Sequence, residues 1–154
     1  MRLIFLFLLA SLSTKAQTPE SPLAEFSSEW SSVKYQTANT AASASYMTSE
    51  EKQVMYVLNL ARMNPALFME SVIKSYADYS GNKTLTRSRF YKSLVSDMAK
   101  LHPLPILKPD EKCFQSASCH ALSSGKVSYV GHVRQTKDCK KTEAYKAECC
   151  SYSF

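Results

Sequence analysis

Apolar residues in this chain recur at helical spacing through four segments, and the pattern stops at Gly125. Val54, Leu58 and Ala61, flanked by Val57 and Leu60, mark the first helix. Thr48 and Glu51 have the spacing of a capping box, in which each side chain bonds the other's backbone N–H. The helix should end near Met63, because Pro65 disfavours α geometry at Asn64. Pro65 can then open a second helix with Asn64 as its N-cap and Phe68, Val72 and Tyr76 as its apolar face. Asp78 to Thr86, containing Ser80-Gly81-Asn82, reads as a loop. Phe90 or Tyr91, Leu94, Met98 and Leu101 suggest a third helix, and Pro103, Pro105 and Pro109 force an extended connector. Asp110 caps a fourth helix that runs to about Ser124. From Lys126 to Phe154 the period is gone. Val127, Tyr129 and Val133 hint at short extended pieces, while Cys and Lys dominate. Four helices of this kind can close on one another as a bundle, or they can form a layer that covers a sheet.

The N-terminus reads as an address. Arg2 is followed by the apolar run Leu3 to Ala10, and Thr14-Lys15-Ala16 puts small residues at −3 and −1 of a cleavage site before Gln17. This fits a secretory signal peptide over residues 1–16 better than an anchor helix, since polar residues begin at Ser11 and the run is too short to span a bilayer. The expectation is a secreted chain, extracellular or periplasmic, with no transmembrane segment after processing. Residues 17–47 are rich in Ser, Thr, Ala and Glu and read as a flexible linker, with Phe26, Trp30 and Tyr35 packing back on the domain. The remainder, 48–154, is one domain, which is all that 154 residues allow. Three glycines leave no phosphate loop or dinucleotide fingerprint. The net charge of +6, which falls when Arg2 and Lys15 are removed, is too weak and scattered to argue for nucleic acid. Lys137, Lys140, Lys141 and Lys146 read as a solvated face.

Export would place five cysteines in an oxidising compartment, where disulfides persist. Cys139 is expected to pair with Cys149 or Cys150, leaving Cys113 as a free thiol; spacing alone leaves the connectivity open. Cys119, His120, His132 and Cys139 suggest zinc less well. No C-x-x-C pair is present, and the side chains of Cys119 and His120 diverge by about 100° on a helix. His120 reads instead as a packed, hydrogen-bonded histidine. Neither Cys113 nor Cys119 sits in a nucleophile motif that could use His132 as a base, and there is no G-x-S-x-G.

Asn59-Leu60-Ala61-Arg62, the Leu-Pro-Ile-Leu stretch at 104–107, Ala117 with His120-Ala121, Gly131-His132 and Glu148-Cys149 occur in an order that resembles the CAP superfamily. This group comprises the cysteine-rich secretory, antigen 5 and pathogenesis-related proteins, which share the SCP domain. The likeness is greatest to secreted bacterial members and covers roughly 48–154. It implies an α+β fold, an α-β-α sandwich represented here mainly by its N-terminal helices, with few or no central strands. It also implies a cleft of two histidines and two acids, in which His132 takes the place of the first His and Glu148 that of the first Glu. The segment around Glu148 reads Ala147-Glu148-Cys149, without the family's Gly and Asn. The second pair would lie beyond Phe154, so the chain looks like the front half of such a domain and reads as a truncated product.

The resemblance gives Asn59 and Arg62 a structural role, tying the first helix to a neighbouring segment. It makes His132 and Glu148 candidate ligands of a divalent metal, Zn²⁺ or Mg²⁺. Two protein ligands hold such an ion weakly, whereas catalytic zinc generally has three plus water. No catalytic residue is assigned. The expected function is non-enzymatic binding of a lipid, glycan or protein ligand. The alternatives are a metal-dependent hydrolase built on His132 and Glu148, or a small disulfide-rich helical protein unrelated to the family.

Overall fold

The computed structural model describes residues 20–143 and 145–150. The expected signal peptide lies outside them, as do Tyr152 and Phe154. Six α-helices occur among the described residues: α1 (Val33–Gln36), α2 (Ser49–Met63), α3 (Pro65–Phe68), α4 (Tyr76–Tyr79), α5 (Arg89–Met98) and α6 (Glu111–Lys126). Short 3₁₀ turns at Ser28–Ser31 and Leu85–Arg87, and a π turn at Met69–Ile73, complete the regular structure.

Local chemistry sets the helix ends. The Thr48 N–H donates to Glu51 Oε2 at 2.7 Å, and the Glu51 N–H donates to Thr48 Oγ1 at 3.2 Å, closing the capping box of α2. The Asn64 side chain accepts from the Leu67 N–H at 3.0 Å and starts α3, with Pro65 as the first residue. Asp110 does the same for α6 through the Cys113 N–H at 2.8 Å. The helix expected after Pro65 is interrupted. The Ser71 hydroxyl donates to the Leu67 carbonyl at 2.7 Å, and the Lys74 N–H reaches back five residues to the Met69 carbonyl. A serine bonded four residues back bends a helix, and the π turn takes up the extra residue. α6 runs through Gly125 to Lys126, two residues beyond the expected end at Ser124.

The core joins α2, the Pro65–Tyr79 stretch and the segment before α2. Leu23, Trp30, Tyr35, Ala38, Tyr56, Leu60 and Val72 form one buried cluster. Trp30 is 1% exposed, and its indole N–H donates to Ser71 Oγ at 2.9 Å. Its ring stacks obliquely on Tyr35 with centroids 4.8 Å apart, and the Tyr35 hydroxyl accepts from Asn64 Nδ2 at 2.7 Å. The segment read as a linker therefore supplies four of the seven clustered residues.

That packing corrects the expected fold class. No strand or sheet occurs among the described residues, so the α-β-α sandwich is not the architecture. Tyr56 and Leu60 of α2 pack with Trp30, Tyr35 and Leu23, where a sandwich would place strands, while Val54 and Leu58 of the expected apolar face stay exposed. The tail after α6 lacks the alternating pattern a half-buried strand needs. Val127, Val130 and Val133 stay exposed in it and form no sheet.

Candidate functional site

Ser116, Cys119, His120, Ser123 and Ser124 recur at helical spacing along α6, and the tail lies across this polar stripe. The Ser116 hydroxyl donates to the Lys140 carbonyl at 2.8 Å. Cys119 forms a disulfide with Cys139, their Cα atoms 5.3 Å apart. The Tyr129 N–H donates to the Ser124 carbonyl at 2.9 Å. Cys139 is thus bonded to Cys119, not to Cys149 or Cys150, which corrects the expected pairing. Cys119 faces the tail because it shares the stripe with Ser116 and Ser123. The turn at Thr136–Cys139 then brings Cys139 within bridging distance. Cys113, Cys149 and Cys150 are free thiols, and Cys113 Sγ lies 3.5 Å from Thr142 Oγ1.

His120 is buried and held at both ring nitrogens. Nε2 is 3.0 Å from the Gly131 carbonyl, and Nδ1 is 3.2 Å from Ser124 Oγ. A carbonyl only accepts, so Nε2 carries the proton and Nδ1 accepts from the serine hydroxyl. Gly131 has φ +142°, and a Cβ there would lie 2.6 Å from the Tyr129 hydroxyl oxygen, so only glycine fits. This turn presents His132.

His132 and Glu148, 16 residues apart, come together: Nδ1 donates to Oε2 at 2.9 Å. Arg134 closes the other side, with Nη1 2.7 Å from Oε1 as an ion pair and Nη2 donating to Ser116 Oγ at 3.4 Å. The Glu148 carboxylate is only 11% exposed. Burial pushes its pKa up. The hydrogen bonds from His132 and Arg134, with the charge of Arg134, outweigh that effect and hold it below the usual glutamate value. Cys150 Sγ completes the cluster, 3.4 Å from His132 Nδ1. Ligand atoms of His120, Glu148 and Cys150 all lie within 4.8 Å of one another.

Among sequence candidates, His132 and Glu148 meet here, while Cys149 is exposed beside them and Cys139 is engaged in the disulfide. Asn59 and Arg62 lie elsewhere, on α2. Asn59 Nδ2 donates to the Ala38 and Leu107 carbonyls and to Thr40 Oγ1 at 3.0 to 3.1 Å. Its Oδ1 accepts from the Leu107 N–H at 2.7 Å, and Arg62 Nε donates to the Pro105 carbonyl at 2.9 Å. Together they fix the proline-rich connector to α2. No sequence motif marks Arg134 and Cys150 as partners of the cluster. The Ser–Cys–His stripe on α6, a helical period in polar residues, is the sequence signal that points to this site.

The His132–Glu148 pair does not fit the divalent ion of the family's cleft. Its two groups bond each other, and Arg134 already supplies Glu148 with a counter-charge. No helix among the described residues is long and apolar enough to cross a membrane. No protein-family model, curated protein or solved structure matches the chain.

Proposed function

We propose that this is an exported CAP-like protein that works by binding, with a lipid, glycan or protein as ligand, and not by catalysis. The observation that carries the reading is unpartnered apolar surface at helical spacing. Val54 and Leu58 on α2 are 68% and 46% exposed, and Phe90 and Leu94 on α5 are 72% and 42% exposed. Residues four apart share a helix face, so each pair offers a contiguous apolar strip to a partner. No residue of α5 is fully buried. Export is supported by the N-terminal pattern and agrees with the Cys119–Cys139 disulfide.

The hydrolase alternative is weaker for a chemical reason. A catalytic zinc generally has three protein ligands plus water, and the His132–Glu148 pair supplies two that are bonded to each other. Both oxygens of Glu148 are engaged, one by His132 and one by Arg134. Purified chain should bind a fluorescent fatty-acyl probe saturably, and should not hydrolyse ester or phosphoester substrates above the buffer rate with Zn²⁺ or Mg²⁺ added. Metal-dependent turnover that disappears in His132→Ala would overturn the reading in favour of the hydrolase.

A further inference from the structure

We propose that His120, Glu148 and Cys150 form a zinc-binding clasp that ties the end of the tail to α6. This goes beyond the binding-module reading and does not rest on it. The three donors come from two parts of the chain, α6 and residues 148–150, and their ligand atoms lie within 4.8 Å of one another. Donors bound tetrahedrally to zinc at roughly 2.0–2.3 Å sit between about 3.3 and 3.8 Å apart, so closure by about 1 Å suffices. Glu148 and His120 are buried or nearly so, and Cys150 is half-buried, which restricts competition from water.

The donor set selects the ion. One imidazole, one carboxylate and one thiolate suit Zn²⁺, whereas Mg²⁺ takes oxygen ligands in an octahedron. The thiolate is what separates this group from the His132–Glu148 pair. It adds a second anion, so the ion and its two anionic ligands are neutral together although Arg134 stands beside Glu148. Arg134 can keep Oε1 while Oε2 ligates, becoming an outer partner that orients the carboxylate. His120 is held by Gly131 and Ser124 and gives up one of those hydrogen bonds to ligate. His132 Nδ1, 2.9 Å from Glu148 Oε2 and 3.4 Å from Cys150 Sγ, stands within reach of the fourth position. Binding releases the Cys150 thiol proton to solvent and changes no oxidation state.

The test uses the full chain and Co²⁺ as a spectroscopic substitute for Zn²⁺. One Co²⁺ should bind per chain with a thiolate-to-metal charge-transfer band and the visible bands of a tetrahedral site, both abolished by added Zn²⁺. Outer partners alone are worth about 10- to 100-fold in metal affinity, so losing a ligand should cost at least that. Cys150→Ser should therefore remove the charge-transfer band and weaken Zn²⁺ binding about 100-fold or more. Cys149→Ser should leave both unchanged. Far-UV circular dichroism of each variant checks that it is folded. Co²⁺ bound without a thiolate band, affinity unaltered in folded Cys150→Ser, or Cys150 recovered in a disulfide from protein purified without reductant would overturn the proposal.

Discussion

Trp30→Ala is expected to destabilise the protein by about 3–5 kcal/mol, the range for truncating a large buried aromatic side chain. Trp30 sits at the centre of the core, stacked on Tyr35 and in edge contact with Phe68, whose ring centroid is 6.5 Å away. Alanine removes this apolar area and leaves a cavity between the segment before α2 and the helices after it. It also removes the indole N–H that bonds Ser71, though that hydroxyl keeps its bond to the Leu67 carbonyl. A small domain has only about 5–15 kcal/mol of stability in total, so much of the population would unfold under mild conditions. Urea unfolding followed by far-UV circular dichroism measures the change, since the variant lacks the chain's one tryptophan. A loss below about 1 kcal/mol, the size of an ordinary surface effect, would mean that residues 20–47 do not build the core.

Asn59→Ala should cost about 2–4 kcal/mol, because it removes the hydrogen bonds of a fully buried side chain, each worth about 0.5–1.5 kcal/mol net, and takes from the Leu107 N–H its acceptor. Asn59 is fully buried. Without it the Leu107 N–H loses its 2.7 Å acceptor, and the Ala38 and Leu107 carbonyls each lose a donor. Thr40 still bonds both carbonyls, its Oγ1 donating to Leu107 at 2.8 Å and its N–H to Ala38 at 2.9 Å, so the Leu107 N–H carries most of the loss. The effect should be concentrated in the connector. Hydrogen exchange at the Leu107 amide should become much faster than in the parent, alongside the shift in urea midpoint. An unchanged Leu107 exchange rate would show that the connector is held some other way.

Helix ends were legible because their determinants are local. Thr48 with Glu51, Asn64 before Pro65, and Asp110 each satisfy orphan N–H groups within their own first turn. The break after Phe68 was not legible. It depends on the Ser71 hydroxyl bonding back to Leu67 while also receiving the Trp30 N–H from 41 residues away. What covers α2 is equally non-local. The periodic face of Val54 and Leu58 stays exposed, and it is Tyr56 and Leu60 that pack with Trp30, Tyr35 and Leu23, where the resemblance implies a sheet.

The candidate site was legible in part for the same reason. His132 and Glu148 were singled out by a family pattern, and the tail's path brings them within hydrogen-bonding distance. Arg134 and Cys150 had no pattern behind them. Their place follows from where Cys139 is anchored, and neighbouring sequence does not determine that. Arg134 lies five residues before the disulfide and Glu148 nine after it, so the bridge to Cys119 sets the arc on which both meet.

The account stands on the tail being fastened across the polar stripe of α6, and peptide mapping of the full chain without reduction tests this most directly. Peptides containing Cys119 and Cys139 should be recovered joined, with Cys149 and Cys150 in neither partner. Cys139 recovered in a disulfide with Cys149 or Cys150 would pull Glu148 away from His132 and Arg134 and contradict the site itself.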